Sequence, residues 1–266
     1  MTAPALVRLE FARLRDRRSI PVSFILVVVV GGIFSLVVTG LASAVADSQS
    51  VAVEEIVLFI IQRGSVAPPV AGVLAALLVG AEFGDGTVFT HALIQPRRLK
   101  LALGYLTGST LLGAALAVIG AGVALVLLLV IRPGGMLPPV PAVLIAVSGH
   151  LILAVGWAVT GVAFALILRS SGAAAALTLL GPLVIEGLLS TAANSIAPWL
   201  GRLSDLLPFR AAAALGAPLT PDQPALLVPV PDTWPVGVQL AAFGIGILIV
   251  VGAAVLSFRY RGLPQR

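Results

Sequence analysis

The chain has 266 residues, 59% of them hydrophobic and only 10% charged, with a mean hydropathy of +1.12 and a net charge of +5. A soluble domain carries about a quarter charged residues, so an ordinary water-soluble fold is excluded. The positive charge sits as scattered arginines near the ends of apolar runs, which excludes the dense tract of a nucleic-acid surface, and the lack of any cysteine excludes disulfides, thiolate metal centres and cysteine nucleophiles.

Residues 4–18, PALVRLEFARLRDRR, read as a short basic helix. Leu6, Val7, Leu9, Phe11 and Leu14 do not form one stripe, so two readings stand: a helix lying on a membrane surface, or a basic tail that orients the chain. Six runs then meet the requirement of about 20 mostly apolar residues for a bilayer-crossing helix: about 20–46, 64–82, 101–131, 141–168, 171–192 and 235–258. Ala44–Ala46 has the look of a signal-peptide cleavage site, but the apolar core before it is about twice the usual length, so a retained first span is expected. The expected fold is an all-α integral membrane protein, one domain over 1–266, with no internal repeat.

Placing the N-terminus in the cytoplasm puts Arg8, Arg13, Arg15, Arg17, Arg18, Arg97, Arg98, Lys100, Arg169, Arg259, Arg261 and Arg266 inside, twelve of the sixteen basic residues. Arg63, Arg132, Arg202 and Arg210 fall outside. The excess of inward lysine and arginine predicts a topology with both ends in the cytoplasm, in a multi-pass protein of the cell membrane.

Between the second and third spans lies the most polar stretch of the chain, GAEFGDGTVFTHALIQPRRLK at 80–100. Gly84 and Gly86 permit a tight turn, since glycine adopts left-handed dihedrals at little steric cost. Thr87 is the expected N-cap of a helix that runs through Gln95 and ends before Pro96. Val88, Phe89, Ala92 and Leu93 share one apolar face by i, i+4 spacing, and an oily face on a cytoplasmic loop points to docking on membrane or protein. Pro96 serves as the first residue of the third span, whose first turn carries Arg97, Arg98 and Lys100; Glu82 is expected to hold the turn through a basic partner such as Arg98.

His150, in SGHLIL, falls at or inside the start of the fourth span and reads as a packed residue rather than a ligand. With two histidines, no cysteine and no H-E-x-x-H, no metal site is expected. Gly181-Pro182 is expected to kink the fifth span. Glu186, in GPLVIEGLLS, lies within that span, where an acid is costly and a functional candidate; it reads either as a pathway residue or as an outer-end acid with a polar neighbour. Residues 195–216, SIAPWLGRLSDLLPFRAAAALG, form one or two short helices broken at Pro208, and 217–235, with six prolines, cannot be a regular helix. Trp199 and Trp234 are placed to sit at the outer headgroup level.

Glu82, Gly86-Thr87, Leu93, Pro96, Arg98 and Lys100 resemble the E-x3-G-T…L-x2-P-x-R signature of the ABC type-2 exporter permeases. The basic N-terminal helix, the six spans and the broken segment with Leu206-Leu207-Pro208 resemble that family too. The likeness extends over nearly the whole chain, with its specific part at 82–100; Arg97 departs from the small polar residues common there. The resemblance implies an N-terminal interfacial helix, a cytoplasmic coupling helix between spans two and three that docks on an ATPase subunit, and a broken extracellular segment between spans five and six. It makes Glu82, Gly86, Thr87, Phe89, Leu93, Pro96 and Arg98 the coupling residues. No G-x4-G-K-[ST] loop occurs, so ATP would be bound by a separate cassette ATPase. Six spans would be half of a transporter, completed by a second copy or a related permease in a surrounding of membrane lipid. No residue is expected to act catalytically or bind a cofactor. The alternatives are a secondary transporter using Glu186 as a proton site and an intramembrane enzyme, for example a serine protease using a serine and His150, for which Ser148, two residues away, has no convincing base.

Overall fold

The computed structural model describes residues 66–95, 97–131, 139–215 and 234–260, together with Ile25, Val29, Ile33 and Val37. The described chain folds into helices α1 (Ala67–Asp85), α2 (Thr87–Ile94), α3 (Arg98–Ile131), α4 (Val140–Leu168), α5 (Ser171–Leu180), a π-helical turn (Gly181–Ile185), α6 (Glu186–Ile196), α7 (Pro198–Ser204), α8 (Pro208–Ala214) and α9 (Val236–Tyr260). No strand occurs among the described residues. Five helical stretches are long and apolar enough to cross a membrane: Ala67–Asp85, Arg98–Val126, Val140–Leu168, Ser171–Ile196 and Val236–Tyr260. The chain therefore has the architecture of a multi-pass membrane protein. The expected first span, 20–46, lies outside the described residues except for Ile25, Val29, Ile33 and Val37, each helical and exposed. The N-terminal helix at 4–18, Pro96 and the proline-rich 216–233 also lie outside them.

The helix boundaries differ from those expected from composition, and several ends run past the apolar runs. The second span begins at Ala67 rather than 64 and continues to Asp85; the third begins at Arg98, and the fifth continues to Ile196. The reason is physical: an apolar run marks the part of a helix that hydrocarbon must cover, whereas backbone hydrogen bonding continues into the polar interface. At 19 residues, α1 rises about 28 Å at about 1.5 Å per residue, close to the roughly 30 Å of the hydrocarbon layer.

The centre of the bundle is α1 against α4, and its packing depends on small residues. Ala71, Ala75, Ala76, Ala158, Ala163 and Ala165 are all buried. A Cβ added at Gly161 would overlap the Gly72 carbonyl oxygen, and one added at Gly72 would stand 3.0 Å from the Trp157 carbonyl oxygen. The two backbones touch, which is how membrane helices gain close contact when water supplies no driving force. Where α3 crosses α4, a Cβ at Gly113 would meet the Ala154 carbonyl oxygen at 2.8 Å. Span five and α9 are by contrast much less buried among the described residues.

Five helix ends gather at one end of the bundle. Gly80 of α1 abuts Ser171 at the start of α5, Phe83 meets Phe258 of α9 edge to face at 6.2 Å, and the Arg169 guanidinium lies 6.0 Å over the Phe83 ring. Arg98, opening α3, donates from Nη1 to the Arg259 carbonyl oxygen at 3.3 Å. Arg169 ends α4 in the left-handed region (φ 53°), and Ser170 caps α5 by accepting from the Ala173 N–H.

Candidate functional site

The short helix α2 is slung between α1 and α3 at this end. One residue, Gly86, with φ 75°, is both the C-cap of α1 and the N-cap of α2. That conformation suits glycine, and it corrects the expected N-cap: Thr87 is the first helical residue and makes no capping bond. The helix stops at Ile94 rather than Gln95, whose extended backbone (φ −125°, ψ 86°) is what the residue before a proline adopts.

Glu82, one turn before Gly86, is fully buried. An acid there needs donors, and its partners among the described residues come from two neighbouring helices. The Tyr105 hydroxyl of α3 donates to Glu82 Oε2 at 2.7 Å. His91 Nδ1 of α2 lies 3.2 Å from the same oxygen and 3.4 Å from the Tyr105 oxygen. One carboxylate thus ties together the helix before the loop, the loop helix and the helix after it. The expected pairing of Glu82 with Arg98 gives way to this arrangement, and Arg98 reaches across to the last turn of α9 instead. Sequence reading passed over His91 and Tyr105. The signal for Tyr105 was one of only two tyrosines in the first turns of an apolar span, near a glutamate in need of a donor.

The apolar face expected for α2 is divided between inside and outside. Val88 is 1% exposed and joins the main core, whereas Leu93 is 85% and Ile94 66% exposed. Phe89 is half-buried. Val88 therefore anchors the helix, and its C-terminal tip, Leu93-Ile94, faces away from the bundle. The structure brings Glu82, Gly86, Thr87, Phe89, Leu93 and Arg98 to one end.

Glu186 belongs to the opposite end, where α8 meets α4 and α9. Its carboxylate accepts the backbone N–H groups of Phe209 (3.2 Å) and Arg210 (3.0 Å) in the first turn of α8. Pro208 begins that helix, and Phe209 packs between Trp157 of α4 (5.1 Å) and Phe243 of α9 (6.1 Å). The Arg210 guanidinium bonds Asp205 at 2.8 Å. The Trp234 indole donates to the Arg202 carbonyl oxygen at 3.0 Å, while Trp199 is exposed. The break in this segment falls as expected, with α8 beginning at Pro208. The departure of span five from regular α-helix falls at Gly181-Pro182 and takes the form of a π-turn.

His150 is buried inside α4, its ring nitrogens without a hydrogen-bond partner among the described residues. Ser148 is exposed and donates to the Ile145 carbonyl oxygen, so the two do not form a nucleophile–base pair. Among the described residues no group of three histidine, cysteine, aspartate or glutamate side chains is placed to hold a metal ion. The chain matches no protein-family model, no curated protein and no solved structure.

Proposed function

We propose that the chain is the membrane-spanning permease subunit of an ATP-driven exporter of the ABC type-2 kind that residues 82–100 resemble. In this reading it crosses the cytoplasmic membrane six times with both ends in the cytoplasm. It pairs with a second copy or a related permease and takes its energy from a separate cassette ATPase. It moves an amphipathic or lipid-like cargo, in keeping with the charge-poor spans.

The observation that carries the reading is the construction of α2. Leu93 and Ile94 together form an apolar tip that the bundle leaves uncovered and that a docking partner would cover. Here the helix is held from within by Val88 and by the Glu82–Tyr105–His91 bonds, and it presents Leu93 and Ile94 outward. That arrangement suits a part that receives a push and passes it on. Displacement of α2 reaches α1 through Glu82 and Gly86, α3 through Tyr105, and α4 through the contact of Gly72 with Gly161. No step in this chain breaks a covalent bond. The secondary-transporter reading draws less support, because both oxygens of Glu186 already accept backbone N–H groups.

The test is co-purification. Because Phe89 is half-buried, the variant of choice is Leu93→Asp with Ile94→Asp. Burial of such side chains is worth about 1.5–3 kcal/mol each, and each 1.4 kcal/mol or so is tenfold in affinity. The double variant is expected to insert normally and to lose the ATP hydrolysis that co-purifies with wild-type protein. Retention of that ATPase at wild-type levels removes the main support for the permease reading.

A further inference from the structure

Span five changes character at its π-turn. Its first half, α5, packs on α1 and α4, with Ala174 and Thr178 buried. From Gly181 onward the contacts with α1 and α4 thin out among the described residues. Among the described residues, the only extensive neighbour of α6 besides the preceding turn is α7, which follows it directly. Leu183, Val184, Ile185, Leu188 and Leu189 are exposed, and a Cβ at Gly181 would meet nothing within 4 Å. Pro182 brings no N–H to the helical ladder, and π-turns are irregular points where a helix adjusts.

Among the described residues, one side chain ties this half-span back to the bundle by hydrogen bonds. Glu186 is the first residue after the π-turn and is 8% exposed. Its two oxygens take the N–H groups that the first turn of α8 has free, since Pro208 has none to offer and the Ala211 N–H bonds the Leu207 carbonyl oxygen. α8 itself is fixed: Phe209 is wedged between Trp157 and Phe243, and Pro208 fills the space over Gly246 of α9.

We propose that residues 186–196 are an arm hinged at the Gly181–Ile185 π-turn, and that Glu186 is the positioning residue whose carboxylate holds the arm against α8. With the bonds made, spans four, five and six share one node at Phe209. With them broken, the distal half of span five swings on its hinge while α5 stays packed.

Two measurements on the purified chain in nanodiscs test this without any ATPase or export assay, so their outcome is separate from that of the permease reading. The first is hydrogen exchange of the Phe209 and Arg210 amides. The second is the distance distribution between spin labels on cysteines at Thr191, on the arm, and Ser148, on α4; both sites are exposed, and the chain has no native cysteine. Glu186→Gln is expected to speed exchange at the two amides about tenfold or more, the effect of weakening hydrogen bonds to a charged group. It should also broaden the distribution, with exchange across α4 unchanged. Arg210→Pro deletes one donor, which the first turn of a helix tolerates, and should act like Glu186→Gln, while Arg210→Ala keeps the N–H and should act like wild type. Unchanged exchange and an unchanged distribution in Glu186→Gln overturn the proposal. Where that variant loses its fold throughout, an Arg210→Pro distribution as narrow as that of Arg210→Ala overturns it.

Discussion

The Tyr105 hydroxyl donates to Glu82 Oε2 at 2.7 Å, joining α1 to α3 beneath the loop helix. A hydrogen bond to a charged group is worth about 1.5–3 kcal/mol. Tyr105→Phe is expected to lower unfolding stability by about that much, and Glu82→Gln by a comparable amount. The double variant should lose less than the sum, as interacting partners do. Additive losses in a thermal or denaturant-unfolding cycle mean that the pair is not an energetic unit. Under the permease reading, Glu82→Ala should also reduce transport per ATP hydrolysed more than it reduces assembly with the ATPase.

Gly86 is the single residue between α1 and α2, held at φ 75°. A side chain in the left-handed region costs roughly 1–2 kcal/mol, and asparagine tolerates it better than alanine does. Stability measured by unfolding should therefore rank wild type above Gly86→Asn and Gly86→Asn above Gly86→Ala. An alanine variant equal to wild type contradicts the requirement for a left-handed residue here.

Val88 and Leu93 should behave oppositely despite sharing a helix face in projection. Val88→Asp places a charge in the core and is expected to abolish stable folding or insertion, because an unpaired buried charge is not tolerated. Leu93→Asp faces solvent and should leave unfolding unchanged within about 0.5 kcal/mol. Fluorescence-detected size-exclusion chromatography and thermal melts separate the two.

Small residues in the α1–α4 contact should be irreplaceable, whereas glycine elsewhere should not be. Gly161→Val drives a side chain into the Gly72 backbone and is expected to destabilise by about 3 kcal/mol or more, the upper range for overpacking. Gly122→Ala meets nothing within 4 Å and should be neutral or stabilising by up to about 1 kcal/mol. Unfolding of both variants in the same detergent gives the comparison.

The proposed six-span orientation predicts how single cysteines react with an impermeant thiol reagent on intact cells. Cysteines replacing Ser48 and Asp222 should label from outside; those replacing Thr90 and Gly262 should label only after the membrane is opened. Labelling of position 90 on intact cells contradicts the orientation.

Much of the helical framework was legible because its cause is local. An apolar run without charge has one structural outcome in lipid, and Gly86 and Pro96 mark the two sides of α2 as plainly as any residues can. What was not legible depended on distance along the chain. Glu82 had several candidate donors, and the pairing with Tyr105 rather than Arg98 follows from how α1 and α3 cross. Arg98 finds its acceptor at Arg259, 161 residues away. The inward turn of Val88 and outward turn of Leu93 depend on what α2 rests against, which a helical projection does not contain. For Glu186 the sequence left two readings open, since its partners are backbone N–H groups at Phe209 and Arg210, and a backbone donor has no side-chain signature.

Where Gly161 meets Gly72, no side chain stands between the two strands of backbone to be compressed or to change rotamer. A joint of that kind has almost no slack. Where leucine and valine side chains separate two helices, a small shift can be absorbed by repacking; here, as where Gly113 meets the Ala154 carbonyl oxygen, no such cushion lies between them. At that crossing neither helix can approach the other further, because the next atoms on each side are main chain.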